Sequence, residues 1–406
     1  MRKRLRLVAL TIPLILVASN SYAAVKAGSS CSKAGTKGLS ATKIYTCIKS
    51  GKKLIWDKGV PLTKTPIGAQ SPSASAPLDL PTSFDNLYQN RKGIAFAAWS
   101  KTGEAMKNSE TRVPPVTTFI GPNTKPWYSE VEKTFGLVSN AFPSAKLPSN
   151  VLVIFYNFSD VAWAEAKLKT LISADAYANL NRNENGHLVD SNCPTAVKDC
   201  IGSKEVTTYD GTDVAILLVG VSSNAGMGKV AGGSWGDPGT YENNTTGQLL
   251  AHEYFHALQR EEQVGKNLQQ TDWPPRWVTE GSAYFLQNAI INSGDFSKFA
   301  NWRMIAVGDY IKREGITSEF VTDFMDLRHY SDNWTSFNGD WDYFLGARII
   351  ETLVAIKGPG SIIDFYKFMG EGKGFESSFK TAYGINYQDA IPVIAKSIAD
   401  NWVTKS

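Results

Sequence analysis

The sequence predicts an α+β fold, with a mixed sheet in the N-terminal half and helices making up most of the C-terminal half. Two short apolar runs, residues 151–155 and 214–219, are rich in β-branched side chains, which is typical of buried strands. From about residue 245 onward, apolar residues recur at helical spacing. The 406-residue chain is 43% hydrophobic and 20% charged, a globular composition that argues against a disordered or coiled-coil protein.

Residues 1–23 have the pattern of a secretory signal peptide. Residues 2–6 are basic, residues 7–18 form an apolar run, and residues 21–23 give a small-x-small cleavage site. The run is shorter than the about 20 residues that span a bilayer, although an uncleaved signal anchor is an alternative. No later segment reaches that length, so we expect a secreted protein, extracellular or at the cell surface, with no transmembrane segment in its mature chain.

The four cysteines fall into two close pairs, Cys31 with Cys47 and Cys193 with Cys200. An exported chain permits disulfides, and proximity favours these two local pairings among the three that four cysteines allow. A metal site is the alternative, but neither pair has the C-x-x-C spacing of zinc-binding cysteines. We therefore expect two disulfides.

Residues 24–60 predict a small basic disulfide module. Residues 24–65 hold nine lysines and one acid, and two short strands flank a turn near residues 50–51. The text resembles small cysteine modules found near the start of secreted actinobacterial proteins. An anionic cell-wall polymer is the partner that this charge predicts; a solvated spacer is an equal alternative, and residues 24–80 are alternatively a prosegment.

Residues 61–80 predict an extended linker, because they are rich in Pro, Ser and Ala and lack apolar periodicity. The body that follows divides into a mixed α/β part, residues 81–243, and a helical part, residues 244–406. The first part contains a predicted helix over residues 162–172, and residues 181–211 read as a polar connection.

Net charge argues against nucleic-acid binding. The full chain has 42 basic and 38 acidic residues, and the signal peptide removes four of the basic ones, which leaves equal numbers. A neutral chain lacks the clustered cations that bind phosphates. We therefore expect no nucleic-acid partner.

The pattern that carries chemistry is His252-Glu253-Tyr254-Phe255-His256, which contains two of the four histidines in the chain. The surrounding residues 245–262 favour a helix, with a cap expected at residues 243–245. On a helix, positions i and i+4 share a face, so both imidazoles can bind one ion. Glu253 can then accept a proton from the water that completes the coordination, acting as general base.

A catalytic zinc ion usually has three protein ligands. Glu280 is the strongest candidate for the third, because it lies 24 positions after His256, on a new helix that Pro274 and Pro275 introduce. The sequence therefore predicts a Zn²⁺ cofactor on His252, His256 and Glu280. The alternatives are a structural zinc site, with His187 or His329 as a fourth ligand, and two histidines that merely pack in the core. Glu280 is alternatively an acid that the macrodipole favours near a helix N-terminus.

With the text Trp277-x-x-Glu280-Gly281-x-Ala283, the sequence resembles the gluzincin metallopeptidases, a zincin-like fold, and is closer to their aminopeptidase branch than to thermolysin. The resemblance spans about residues 240–395. It implies a zinc-dependent peptidase acting on peptide or protein substrates. A non-catalytic, zincin-like binding protein at the cell surface is the alternative.

A third motif, Tyr343-x-x-Gly346-Ala347, resembles an aminopeptidase segment whose tyrosine stabilises the tetrahedral intermediate. The resemblance thus implies Tyr343 as an oxyanion donor, with His329 and Tyr330 as alternatives for that role. A Tyr343 that only packs in the core is the other alternative, because the stretch around it is rich in aromatic residues.

The sequence also departs from the family pattern. The 23 residues between His256 and Glu280 exceed the usual gap, and Tyr284 stands where thermolysin-like enzymes have an aspartate that orients a ligand histidine. Residues 239–243 resemble an amine-binding loop but lie too close to His252, so a capping loop is favoured. Residues 231–235 are either an edge strand for peptide pairing or, more simply, a flexible connection.

Overall fold

The computed structural model describes residues 26–34, 37–40, 43–61, 79–196, 199–207, 214–223, 243–263, 274–305, 316–330 and 340–402. The chain forms two compact units, Met1–Ala76 and Pro77–Ser406. The predicted signal peptide lies outside the described residues, as does most of the predicted linker. Within the described part of the chain, no helix is long and apolar enough to cross a membrane.

The first unit is a small antiparallel sheet with a disulfide. Its strands are β1 (Lys37–Ser40), β2 (Lys43–Ser50), β3 (Lys53–Trp56) and β4 (Val60–Pro61). Strand β2 pairs with the other three, and the pairing of Ser50 with Lys53 confirms the predicted hairpin. The Cys31–Cys47 disulfide is confirmed as well.

The second unit contains a mixed four-stranded sheet in the order β5-β6-β8-β7. The strands are β5 (Val116–Ile120), β6 (Asn150–Tyr156), β7 (Ser203–Thr207) and β8 (Val214–Gly220). Strands β5, β6 and β8 are parallel, and β7 pairs antiparallel with β8. The two apolar runs are confirmed as strands, whereas β7 lies within the stretch that the sequence pattern assigned to a polar connection.

Thirteen α-helices, besides three short 3₁₀ helices, have both ends within the described residues. They are α1 (Phe84–Leu87), α2 (Ile94–Lys107), α3 (Val131–Ala141), α4 (Val161–Leu171), α5 (Ala174–Asn183), α6 (Gln248–Glu261), α7 (Arg276–Ile291), α8 (Phe296–Ile305), α9 (Ser318–Tyr330), α10 (Asp340–Lys357), α11 (Gly360–Gly370), α12 (Phe375–Tyr383) and α13 (Tyr387–Ala399).

The sheet separates two hydrophobic clusters because its side chains alternate between faces. Val151, Val153 and Phe155 of β6 face the larger cluster, which also contains the apolar residues of α6, α7 and α10. Leu152 and Ile154 face the smaller one, beside α4, α5 and the confirmed Cys193–Cys200 disulfide. Residues 81–243 and 244–406, expected as two subdomains, both contribute to the larger cluster and lie in the same compact unit.

The helix that carries His252 and His256 starts later than the sequence pattern predicted. We expected residues 245–262 with a cap at 243–245, but α6 begins at Gln248 and its N-cap is Gly247. Gly247 has φ 88°, a left-handed conformation that interrupts the helical path and favours glycine. A Cβ there would also meet the Tyr128 ring at 2.8 Å.

Candidate metal centre

Helix α6 is an interior helix, in which 12 of the 14 residues are buried. One face is fixed by aromatic packing: Tyr254 stacks on Phe135 with 4.1 Å between ring centroids, and its hydroxyl lies 3.1 Å from Ser139 Oγ. The opposite side carries His252 and His256, one turn apart, and faces helix α7. Packing therefore sets the direction in which both imidazoles point.

Helix α7 brings the carboxylate of Glu280 to these two rings. The two histidine Nε2 atoms lie 3.1 Å apart. Glu280 Oε2 lies 3.5 Å from His252 Nε2 and 3.4 Å from His256 Nε2. The structure thus brings the three predicted ligands together, and they form a group that could hold a metal ion.

Each histidine is held from behind by a glutamine. Gln287 Oε1 lies 2.7 Å from His252 Nδ1, and the Gln287 amide nitrogen donates to Asn243 Oδ1 at 2.8 Å. Because the amide nitrogen is already engaged, Gln287 Oε1 is the atom that accepts from the ring. His252 Nδ1 therefore carries its hydrogen, and His252 Nε2 presents a lone pair to the centre.

The second histidine repeats this arrangement with a glutamine from its own helix. Gln259 Oε1 lies 2.8 Å from His256 Nδ1. The Gln259 amide nitrogen donates to Thr279 O at 3.1 Å and to Ser282 Oγ at 2.7 Å. Both imidazoles thus direct lone pairs at the same point, which is costly unless a proton or a cation lies between them.

Neither glutamine was predicted from the sequence, although the spacing of both is a usable signal. Gln259 lies at i+7 from His252, with His256 between them at i+4. On α7, Gln287 lies at i+7 from Glu280, with Tyr284 at i+4. Residues at i, i+4 and i+7 share one helix face. The spacing therefore predicts that each glutamine lies on the same face of its helix as the ligand. The residue that contacts His252 Nδ1 is thus Gln287, which follows Tyr284 on the same face of α7.

Charge in this centre shifts two pKa values in opposite directions. Burial alone would lower the pKa of His256, but the carboxylates of Glu280 and Glu253 outweigh it and raise that pKa to about 9. Burial alone would raise the pKa of Glu280, but His256 and His252 outweigh it and hold that pKa well below its usual value. The metal-free centre therefore contains an imidazolium–carboxylate pair.

This pair predicts a pH-dependent stability of the metal-free protein. A histidine whose pKa rises from about 6.5 in the unfolded chain contributes stability that is complete below pH 6.5. That contribution disappears as the pH rises through the folded pKa of about 9 for His256. We expect the free energy of unfolding in chelator to fall across this window, measured by urea unfolding. Saturating zinc should remove the fall, because metal binding replaces the proton.

The glutamines predict a graded effect on metal affinity. Gln287→Leu removes the acceptor of the His252 Nδ1 hydrogen, so we expect zinc to bind about 10- to 100-fold more weakly. Gln287→Glu keeps an acceptor at the same place and should retain the affinity. Competition with a chromophoric chelator measures both. Equal affinity in the leucine variant and the parent would contradict the role of Gln287.

Glu253 lies beside this group and has a partner on the sheet. It is 5% exposed, and its Oε1 accepts a hydrogen bond from Ser203 Oγ at 2.7 Å. Ser203 is the first residue of the edge strand β7, and Glu205 of the same strand forms an ion pair with Arg260 of α6. The edge strand is thus fastened to the helix at two points. Ser203 lies in the polar stretch, where no sequence signal distinguished it.

Tyr343 lies in the first turn of α10, next to the same group. Its ring is nearly parallel to that of His252, with 6.1 Å between centroids, and its hydroxyl lies 3.5 Å from Arg276 Nη2. Burial and the carboxylates of Glu280 and Glu253 raise the pKa of Tyr343. The phenol is therefore protonated across the physiological range.

A close helix crossing explains how Tyr343 and Glu280 come together. A Cβ at Gly281 of α7 would lie 2.6 Å from Gly346 Cα, and a Cβ at Gly346 of α10 would lie 2.7 Å from Trp277 O. Both distances are too short for any side chain, so only glycine lets the two backbones touch. The glycines of the two sequence motifs are thus parts of one contact, and Glu280 and Tyr343 flank it.

Other candidates do not join the group. His187 is exposed and lies 3.0 Å from Asp190, so it supplies no fourth ligand. His329 and Tyr330 end helix α9, and their side chains lie outside the described residues, as do residues 231–235 and 239–242.

Comparisons with protein-family models, with curated proteins and with solved structures give no match to this chain.

Proposed function

We propose that the chain is a secreted zinc-dependent peptidase of the gluzincin type, which hydrolyses peptide bonds with Glu253 as general base. The observation that carries the proposal is the convergence of His252 Nε2, His256 Nε2 and Glu280 Oε2 within 3.5 Å of one another. Two disulfides are compatible with the extracellular location that the amino terminus predicts.

The donor set fits a tetrahedral zinc ion. Ligand bonds of about 2.0–2.1 Å at tetrahedral angles separate neighbouring donor atoms by about 3.3 Å. The three distances here are 3.1, 3.4 and 3.5 Å. Two imidazoles and one carboxylate suit zinc, and three protein ligands are typical of catalytic sites, whereas structural sites use four.

A zinc ion held by these residues supplies Lewis acidity, which acidifies water and polarises a peptide carbonyl. Glu253 then takes the proton from the attacking water and later delivers it to the leaving amine. The Ser203 hydroxyl holds one carboxylate oxygen of Glu253, which orients the other for this transfer. Because no side chain attacks the substrate, reagents that modify serine or cysteine should leave activity unchanged.

Tyr343 is proposed to donate a hydrogen bond to the oxyanion that develops during attack. Tyr343→Phe removes the hydroxyl and keeps the ring on His252, so we expect kcat to fall about 10²- to 10³-fold. Zinc content should stay the same, which metal analysis checks beside steady-state kinetics. If the variant keeps the parental kcat, the hydroxyl has no part in the reaction.

Strand β7 offers a way to align a peptide. It pairs with β8 along one edge, and in the described part of the chain no strand covers its other edge. An extended substrate can pair with such an edge through its backbone. Ser203 at the start of this strand contacts Glu253, so a peptide on β7 would run beside the proposed general base.

The lysines of the first unit, residues 1–76, support a separate proposal about where the protein is held. Lys49, Lys52 and Lys53 are exposed around the β2–β3 turn. A cluster of this kind attracts an anionic polymer at low salt. We propose that this unit adheres to an anionic cell-wall polymer.

The test combines metal analysis with cleavage profiling. Zinc-loaded protein is incubated with a peptide library and with casein, and the products are identified by mass spectrometry. We expect one zinc per chain and cleavage that a chelator abolishes and zinc restores. Bound zinc without cleavage of any peptide would favour the non-catalytic binding protein instead.

A further inference from the structure

A large cavity lies at the carboxyl ends of the three parallel strands. Strands β5, β6 and β8 end at Ile120, Tyr156 and Gly220, and the loops that follow them line a space of about 820 Å³. Pockets that bind small ligands have about this volume, and open sheets with parallel strands bind ligands at this edge. The described residues that line the cavity include none of the metal-centre residues.

Two exposed aromatic side chains mark this cavity. Trp127 is 48% exposed and Phe158 is 38% exposed. Within the described part of the chain, the other exposed large apolar side chains are aliphatic, so both exposed aromatic rings line the same cavity. Leaving two such rings in water costs free energy that a ligand can recover by covering them.

The Trp127 ring, which we call the aromatic platform, is held in place by hydrogen bonds. Trp127 Nε1 donates to Ser222 O at 3.0 Å, which joins the loop after β5 to the loop after β8. Ser222 Oγ and Ser223 Oγ donate in turn to the buried carboxylate of Asp199, at 3.2 and 2.7 Å. Asp199 precedes Cys200, whose disulfide to Cys193 closes that segment. A fixed platform loses little entropy when a ligand binds.

The loop after β5 is fixed from its other side as well. The Asp160 carboxylate is 1% exposed, and it accepts from Asn123 N, Asn123 Nδ2 and Thr124 Oγ1. The Asn157 side chain donates to Asn123 O and so ties this loop to the one after β6. The amides of Asn123 and Asn157 thus stand at the cavity in defined orientations.

Charge and chemistry together indicate the ligand class. Among the described lining residues, Lys125 is the cation and Asp199 the anion, so the lining favours a neutral ligand over a nucleotide or another phosphate. The other described lining residues are two aromatic, two asparagine, three serine and three aliphatic ones, the last being Pro126, Ala196 and Val221. A sugar ring has an apolar face of C–H groups that covers an aromatic ring, and hydroxyls at its rim that bond amides and hydroxyls.

We propose that this cavity binds a neutral oligosaccharide, with a sugar ring stacked on Trp127 and a neighbouring one on Phe158. The site is separate from the metal centre, and the proposal does not depend on peptidase activity. An extended peptide is the competing ligand, but among the described lining residues the aliphatic ones, Pro126, Ala196 and Val221, are outnumbered by the aromatic and polar ones that suit a sugar.

The experiment measures binding of free cellotetraose, chitotetraose, maltotetraose and mannotetraose to the full chain by calorimetry. We expect at least one to bind with a Kd of about 1 mM or tighter. Trp127→Ala should weaken that binding at least about tenfold, whereas Trp127→Phe should weaken it less, because a phenyl face remains although the hydrogen bond to Ser222 O is lost. Ile120→Ala is the matched control, since Ile120 is 47% exposed at the end of β5 and does not line the cavity.

Two further measurements identify the source of the sugar and test whether sugar binding is independent of the metal centre. Co-sedimentation with insoluble cellulose and chitin distinguishes a polymer surface from a free oligosaccharide. The chelator-treated protein should bind the same sugar with unchanged affinity, even if peptidase activity proves absent. The proposal would be overturned if none of the four sugars bound. It would also be overturned if Trp127→Ala, with an unchanged Tm, bound the sugar as tightly as the parent. Binding of library peptides that requires Trp127 would assign the cavity to peptide.

Discussion

Replacing Glu253 with glutamine should leave zinc in place and reduce peptide cleavage about 10²- to 10⁴-fold, the range for loss of a general base. The amide has the shape of the carboxylate, and its oxygen can still accept from Ser203 Oγ, which lies 2.7 Å from Glu253 Oε1. The position of the side chain is therefore preserved while its basicity is lost. The measurement is kcat on the best library peptide, with metal content determined on the same preparation.

The matched control for this change is Glu262→Gln. Glu262 follows helix α6 and accepts a hydrogen bond from Lys146 N at 2.9 Å. The same Glu-to-Gln change there removes a carboxylate that does not belong to the metal centre. We expect that variant to cleave at the parental rate. Parental activity in the Glu253 variant would remove Glu253 from the reaction.

Replacing Glu280 with glutamine should weaken zinc binding more than 100-fold, since the loss of a ligand exceeds the about 10- to 100-fold effect of a residue behind a ligand. The same change removes the negative charge that raises the pKa of His256. We therefore expect that pKa to fall in the metal-free variant, and NMR titration of the imidazole resonances measures it. These two readouts are independent of any activity assay.

Glu165→Gln provides the comparison. Glu165 is partly exposed on α4 and pairs with Lys169 at 2.7 Å, so its loss removes a carboxylate without touching the centre. Zinc affinity and the pKa of His256 should both stay at their parental values. If Glu280→Gln behaved like this control, Glu280 would not be a ligand.

The parts of the fold that were predictable are those that bury apolar residues in a regular pattern. Strands β6 and β8 are continuous apolar runs because helices cover both faces of the sheet. His252 and His256 could be placed on one helix face because the spacing of four is a local property. Both disulfides follow from short separations along the chain.

The parts that were missed depend on contacts between distant segments. Strand β7 has the sequence Ser-Lys-Glu-Val-Thr, in which hydrophobic patterning finds one apolar residue. Its polar side chains attach the strand to α6, because Ser203 donates a hydrogen bond to Glu253 and Glu205 forms an ion pair with Arg260. Hydrophobic periodicity has no way to detect a strand that is held by polar contacts.

The glutamines were missed for a related reason. An isolated glutamine in a helix usually faces water, and Gln259 and Gln287 become informative only when their i+7 relation to a ligand is noticed. Likewise, the two glycines were visible in the sequence motifs, but their mutual contact required the arrangement of α7 and α10.

The crossing of Gly281 and Gly346 has a consequence for anyone who redesigns this protein. No side chain separates the two backbones, so the helices are in direct contact. A side chain at either position would push the helices apart and displace the Glu280 carboxylate and the Tyr343 phenol together. Changes to this centre should therefore be made in the connecting loops, because even a single methyl group where the two helices touch would shift Glu280 relative to His252 and His256.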